Sequence, residues 1–321
     1  MHISIVIPIY NEEDNLPLLK AALDTALSHL KGHSWEVILV DDGSTDASAE
    51  QIHQIAQADP EHVVAITLRR NFGQTAAIAA GIDHARGEVI VLMDADLQND
   101  PLDIPLLVEK IEQGYDVVSG WRKNRQDAFL TRTLPSKIAN WLISVVTGVH
   151  LHDYGCTLKA YRREVLTGFR LYGEMHRFIP AYASSVGARM VEIPVHHHPR
   201  KYGKAKYGLG RTFKVILDLF TVKFLMSYAQ KPIYVFGGAG IVLMSLSVLT
   251  VTVLVIRRLT IGEHLIRSPL LLLSVMFFIM GFQSLLMGLQ AEVLNRTYHE
   301  SQHKPIYTVR SIYRNGQEEK G

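Results

Sequence analysis

Gly87-Glu88-Val89-Ile90-Val91-Leu92-Met93-Asp94-Ala95-Asp96-Leu97-Gln98 sets an unbroken apolar run against an abrupt acidic stop. A short apolar run of this kind reads as a strand, Glu88 to Asp94, buried on both faces, and such strands belong to sheets covered by helices. The pattern repeats outward from it. His2 to Ile9, Trp35 to Asp41, Val63 to Leu68 and Asp116 to Gly120 read as further strands. Asn15 to Leu30, Asp46 to Gln57, Gln74 to Ala85 and Pro105 to Gln113 read as the helices between them, with Ser44 and Asp46 available as caps. This alternation predicts an α/β fold with a mainly parallel sheet and helices on both faces.

In such a sheet ligands bind beyond the carboxyl ends of the strands. The segments there are Tyr10-Asn11-Glu12-Glu13, Asp41-Asp42-Gly43-Ser44, Arg69-Arg70-Asn71-Phe72-Gly73 and Asp94-Ala95-Asp96-Leu97-Gln98. One acidic residue at a strand end is ordinarily a solvated loop or a helix cap. Two carboxylates with Gln98 in the same loop, and Asp41-Asp42 on a neighbouring strand, suit partial coordination of Mg2+ or Mn2+, with water and substrate phosphate completing the shell. An ion held there would neutralise a diphosphate leaving group as charge develops on it.

The last third has a different character. Ile233 to Ile256 and Ser268 to Ala291 carry no Asp, Glu, Lys or Arg, and each exceeds the about 20 residues that cross a bilayer. Two spans put the residues before and after them on one side. Arg200, Lys201, Lys204, Lys206, Arg211, Lys214, Lys223 and Lys231 before the first span, and Arg296, Lys304, Arg310 and Arg314 after the second, mark that side as cytosolic. The connecting loop, with Arg257, Arg258 and Arg267 against Glu263, runs counter to this bias. The expected order is a catalytic domain over 1–207, a juxtamembrane amphipathic helix over 208–231, a two-helix hairpin over 232–292 and a tail over 293–321. Pro135 to Val149 and Leu209 to Ala229 are candidates for the membrane interface.

The formal charge of +2 gives no sign of a nucleic-acid partner. Cys156 is the only cysteine, which excludes an intrachain disulfide or a cysteine zinc site and fits a reducing compartment. No basic, cleavable leader precedes the first strand. His196-His197-His198 reads as structural, because consecutive strand residues point to opposite faces. The basic, glycine-punctuated run Arg200 to Gly208 suits either closure over phosphates or attraction to anionic lipid.

The ordered set Pro8 to Glu13, Asp41 to Ser44, Arg70 to Gly73 and Asp94 to Gln98 resembles glycosyltransferase family 2 with a GT-A fold. It is most similar to the polyprenyl-phosphate branch that includes dolichol-phosphate mannose synthases. Lys123 to Asp127 and Asp153 to Arg163 resemble the bacterial undecaprenyl-phosphate 4-deoxy-4-formamido-arabinose transferases within that branch. The resemblance implies a nucleotide-diphosphate sugar donor, a polyprenyl phosphate acceptor, transfer with inversion and an inner-membrane enzyme, tetrameric in many relatives. It implies that Pro8, Tyr10, Glu12 and Asp41 meet the donor's base and ribose, with Asp94 on the donor side too. It further implies that Asp94, Asp96 and Gln98 hold the metal, and that Arg122, Arg132 and Ser136 meet the acceptor phosphate. Arg200 and Lys204 are added to that phosphate set by their charge.

Asp96 and Asp153 are the catalytic candidates. The family has an acidic residue at the position of Asp153, but a phosphate monoester with a second pKa of about 6 is already anionic near neutrality. Asp153 is therefore expected to orient rather than deprotonate. Two rivals remain. A processive polysaccharide synthase would carry Gln-x-x-Arg-Trp and more spans, and an inert nucleotide-sugar-binding scaffold would not need the intact acidic set. A dinucleotide oxidoreductase lacks its Gly-x-Gly-x-x-Gly after the first strand.

Overall fold

Four of the five predicted strands lie side by side and parallel: β1 (His2–Ile9), β2 (Ser34–Asp41), β3 (Val63–Leu68) and β4 (Val89–Leu92). The computed structural model describes residues 2–123, 134–166, 175–199, 233–261, 268–301, 309–314 and 317–320. Within them the chain divides into two compact units, Met1–Val222 with Pro305–Gly321, and Lys223–Lys304.

In the first unit, every residue of β3 and β4 is buried, as their continuous Val, Ile and Leu content requires. Helices α1 (Leu16–Leu27), α2 (Ser48–Ala58), α3 (Gln74–His84) and α4 (Ile104–Glu112) cover the sheet. Ile3, Ile5, Ile7 and Ile9 of β1 share one core with Leu16, Leu19, Leu23, Ile104 and Leu107. The alternate position Val6 faces α3, which comes so close that a Cβ on Gly81 would stand 2.2 Å from Val6 Cγ1. Spatial order is β3-β2-β1-β4. The chain builds outward from β1 to β3 and then returns to β1's other side, so the crevice beyond β1 and β4 is the topological switch point.

Beyond β4 the sheet becomes mixed. β5 (Val117–Trp121), β6 (Lys159–Arg162) and β7 (Met190–Pro194) extend it in the order β4-β6-β5-β7, with β6 antiparallel to both neighbours and β5 parallel to β7. Helix α5 (Leu134–Thr147) precedes β6 and exposes Trp141 and Val145. Short helices α6 (Arg163–Leu166) and α7 (Ile179–Ser185), with a 3-10 turn at Met175–Phe178 before α7, lead to β7.

Two expectations change. Among the described residues the sheet has nine strands and is mixed, its parallel character confined to β1–β4 and the β5–β7 pair. Residues 293–321 are not a separate tail: the second long helix continues to Ser301, and β8 (Val309–Arg314) and β9 (Gln317–Lys320) join the sheet, β8 antiparallel to β3. The physical reason is the edge of β3, whose unpaired backbone groups β8 satisfies. Arg314 fixes the register by donating from Nη2 to the His84 carbonyl at 2.6 Å. The juxtamembrane helix expected over 208–231 lies outside the described residues.

Among its described residues the second unit holds two helices, Ile233–Ile261 and Pro269–Ser301, packed on each other. Tyr234–Thr260 (27 residues, mean hydropathy 2.5) and Pro269–Ala291 (23 residues, 2.2) are long and apolar enough to cross a membrane. Their outer faces expose apolar side chains such as Val248, Leu249, Leu272 and Phe282, the reverse of a soluble core helix. Gly240 and Gly281 form the tightest crossing, where a Cβ on Gly240 would lie 2.7 Å from the Gly281 carbonyl. Ser247 Oγ donates to the Ser274 carbonyl and Ser284 Oγ to the Phe236 carbonyl, each at 2.7 Å.

Candidate active site

Past the ends of β1 and β2 the polar loops are stitched to each other. The Asn11 N–H donates to Ser44 Oγ at 2.9 Å, the Thr45 N–H to Asn11 Oδ1 at 2.8 Å and the Glu12 N–H to Ser48 Oγ at 2.9 Å. Ser44 thus ties loops together and does not cap α2, while Asp46 accepts from the Ser48 N–H at the helix start. Asn11 adopts the left-handed region at φ 51°, which asparagine tolerates. Glu12 Oε2 accepts from Asn15 Nδ2 at 2.6 Å. Pro8 and Tyr10 sit half-buried at the end of β1, Pro8 in register with Val40 and Ile9 with Asp41.

Asp41 and Asp42 are both buried. The Asp41 carboxylate accepts from the Ser44 N–H, and its pKa is raised chiefly by burial. Asp42 accepts from the Phe72 and Gly73 N–H groups at 2.7 and 2.9 Å, fixing the loop after β3. Burial still pushes its carboxyl up to about 6.

Asp94 stands at the switch point, gripped from two sides. Gln74 Nε2, at the start of α3, donates to Oδ1 at 2.7 Å, and Thr157 Oγ1, just before β6, donates to Oδ2 at 2.6 Å. Burial first, and then the adjacent Asp96 charge, raise its pKa; the Thr157 hydroxyl and the Arg122 and Arg177 charges oppose the rise. Asp96 is buried, and its Oδ1 accepts from the Gln98 N–H at 3.1 Å around Leu97 at φ 58°. Gln98 is anchored through its backbone, its carbonyl accepting from the His198 N–H at 2.9 Å.

This pair fits a hard divalent ion: both side chains offer carboxylate oxygens, and the Asp96 charge adds to the cost of ionising Asp94, which a bound cation would offset. Among the described residues no cluster of three or more His, Cys, Asp or Glu makes a closed metal site. The acidic pair would supply part of a shell, as Mg2+ sites shared with substrate phosphates do.

The histidine run is tied to the acidic loop by hydrogen bonds. His196 bonds Asp103 through its N–H at 2.6 Å and through Nδ1 at 2.8 Å, His198 Nε2 bonds Asp100 Oδ2 at 3.0 Å, and His197 bridges Asn99. Together they staple the far end of the acidic loop to the segment after β7.

On the mixed flank, Asp153 is 2% exposed and receives Arg122 as a fork, Nε to Oδ2 at 2.7 Å and Nη2 to Oδ1 at 2.9 Å. That geometry fixes the guanidinium plane. Beneath it Lys159, 3% exposed, donates from Nζ to the carbonyls of Tyr154 and Cys156, clamping the loop that carries Asp153 and Thr157. Burial lowers the Lys159 pKa and raises that of the buried Cys156 thiol to about 11, so the thiol is inert.

Ser136 lies on α5; Arg132, Arg200 and Lys204 lie outside the described residues. The sequence reading missed Gln74, Thr157, Lys159 and Arg177. Thr157 and Lys159 fall inside the Asp153–Arg163 motif that carried the resemblance, which was the available signal; Gln74 and Arg177 gave none.

A parallel half-sheet with an acidic loop at its switch point, joined to a mixed half that brings arginine to it, is the layout of GT-A sugar transferases. A solved glucosyl-3-phosphoglycerate synthase from Mycobacterium tuberculosis, in complex with Mn2+, UDP and phosphoglyceric acid, shares this fold. Its TM-score is 0.54 at 19% identity, over 69% of this chain and 78% of that one. The chain belongs to glycosyltransferase family 2, the model of which, described as glycosyl transferase family 2, matches residues 4–169. It is 44% identical over 317 residues to a dodecaprenyl-phosphate galacturonate synthase of Rhizobium johnstonii, covering 98% of this chain and 93% of that relative. It is 40% identical over 313 residues to an undecaprenyl-phosphate 4-deoxy-4-formamido-L-arabinose transferase of Klebsiella pneumoniae, covering 97% and 94%.

Proposed function

We propose that this glycosyltransferase moves one sugar from a nucleotide-diphosphate sugar to the phosphate of a polyprenyl phosphate, with inversion at the anomeric carbon, giving a lipid-linked monosaccharide for the cell envelope. The carrying observation is the oriented acidic pair: Asp94 held by Gln74 and Thr157 with Asp96 beside it, under the charge of an Arg122 aligned by Asp153. The near-full-length likeness to two transferases named for polyprenyl phosphates, and two helices able to span a membrane, support the lipid acceptor.

In this reading Pro8, Tyr10, Glu12 and Asp41 meet the nucleoside, and Asp94, Asp96 and Gln98 hold Mg2+ or Mn2+. When bound, the ion offsets the negative charge of the departing diphosphate. Arg122 is joined at the acceptor phosphate by Arg132, Ser136, Arg200 and Lys204. Asp153 fixes the arginine plane and takes no proton, because the attacking phosphate oxygen is already anionic. Its two oxygens being committed to Arg122 favours this positioning role. The catalytic side is cytoplasmic, as the basic flanks of the spans favour. The pairing of β8 with β3 supports a shared side for the segments before and after the hairpin, since both contribute to one sheet.

The test offers purified full-length protein in detergent a panel of nucleotide sugars, including uronic acid and formamido-pentose donors, with undecaprenyl phosphate and Mg2+ or Mn2+. One labelled lipid-linked sugar, lost on chelation, is expected. No lipid-linked product with any donor overturns the reading.

A further inference from the structure

The 3-10 turn Met175–Phe178 is the element of the mixed flank that reaches back to the parallel half. Three of its four side chains are buried, Met175 at 6%, His176 at 9% and Phe178 at 0% exposure. Arg177 alone of the four is half-exposed. His176 Nδ1 shares a buried hydrogen bond of 2.7 Å with Thr75 Oγ1. Thr75 is the neighbour of Gln74, whose amide holds Asp94. The turn is thereby latched to the first residues of α3, at the point where α3 grips the acidic loop. The latch spans 101 residues of sequence, so it has no local structural purpose in forming a turn.

We propose that Arg177 is a second phosphate-binding arginine of the site, paired across the crevice with Arg122, and that His176 and Thr75 are its positioning residues. The ligand class is a phosphate oxygen of a substrate, either the diphosphate of the donor or the phosphate of the acceptor. The charge balance supports this. Asp94, Asp96 and Asp153 confront Arg122, Lys159 and Arg177, and the Arg177 charge acts on both Asp94 and Lys159, as the Arg122 charge does. A substrate adding several negative charges beside two carboxylates needs a further cation within reach, and a guanidinium suits phosphate geometry. This assignment rests on the transferase reading above.

The experiment uses full-length wild type and Arg177→Met, Arg177→Lys and Thr75→Val, each checked for a cooperative thermal transition. KM and kcat are measured separately for the donor and for undecaprenyl phosphate, and nucleoside diphosphate binding with Mn2+ is measured by calorimetry. Arg177→Met is expected to raise one KM about tenfold or more, the size of a lost charge-assisted hydrogen bond. Arg177→Lys should fall between it and wild type, and Thr75→Val should move the same KM by less. A raised donor KM with weakened nucleotide binding assigns the diphosphate; a raised acceptor KM with unchanged nucleotide binding assigns the lipid phosphate. If wild type is active and both KM values of folded Arg177→Met and Arg177→Lys stay within about twofold, or only kcat falls, the proposal is overturned. Inactive wild type would instead count against the transferase reading, and calorimetry would still decide whether Arg177 binds phosphate.

Discussion

The two halves of the sheet position their functional groups by different means. In the parallel half, residues 2–92, each polar loop follows directly from an apolar strand, and its side chains bond the next loop along the sheet, as Asn11 does Ser44 and Asp42 does Phe72. In the mixed half, charged groups are held by other side chains: Arg122 by the Asp153 carboxylate, and Asp94 by the Thr157 hydroxyl. In the proposed reading, the parallel half would fix where a ligand sits, while the mixed half would add the cationic charge that acts on it. Groups of the first kind should fail locally when altered, and groups of the second kind should lose stability and alignment together.

The largest expected effect lies where the halves meet. Asp96→Asn or Asp94→Asn should lower kcat about 10²–10³-fold or more, with the apparent affinity for Mn2+ weakened and the melting temperature little changed. A variant with normal metal dependence would separate the acidic pair from the chemistry.

Next comes Asp153→Asn, which leaves Arg122 without its charge partner at 13% side-chain exposure. A loss of about 3 kcal/mol in stability is expected from denaturant titration, with kcat reduced about tenfold. The pH–rate profile should keep its shape. Activity restored by raising pH would show that Asp153 is a base after all.

Asp42 tests the parallel half alone. Its folded pKa of about 6 lies above the unfolded 3.8. The folded state therefore holds a proton that the unfolded chain has released, and Asp42 is a cost near neutrality that fades as pH falls through about 6. That cost is at most on the order of 3 kcal/mol. Asp42→Asn should flatten the rise in melting temperature between about pH 7 and 4; an unchanged slope would remove Asp42 from the account.

The smallest effect is expected outside both halves. Gly240→Leu forces the hairpin apart at the Gly281 carbonyl, costing about 1–3 kcal/mol. Protease sensitivity in detergent should show it as earlier cleavage within Lys223–Lys304. Cleavage at the wild-type rate would mean that the Gly240–Gly281 crossing does not hold the hairpin.

Legibility followed the range of the interactions. β1–β4 and both long helices were readable because burial of a whole strand, or exposure of a helix to lipid, demands apolar residues in unbroken runs. The Asp94–Asp96 pair was readable because it interrupts such a run. β6, only four residues long, offers too short a pattern to read. β8 and β9 fall within 293–321, which reads as a tail because their strand patterns are short, although Asn315-Gly316 between them is a hairpin signal. Arg177 was illegible, since one arginine among many gains meaning only when His176 meets Thr75.

By itself, then, the sequence determined an α/β sheet with an acidic loop at the end of a central strand and a pair of membrane-length helices. These rest on local periodicity and on residue chemistry, both written in consecutive positions. Only the tertiary structure decided that Gln74 and Thr157 hold Asp94, that Asp153 receives the Arg122 fork, and that β8 pairs with the edge of β3. Each of these is a pairing of buried polar groups, and such a group is satisfied by whichever partner the fold brings within hydrogen-bonding distance.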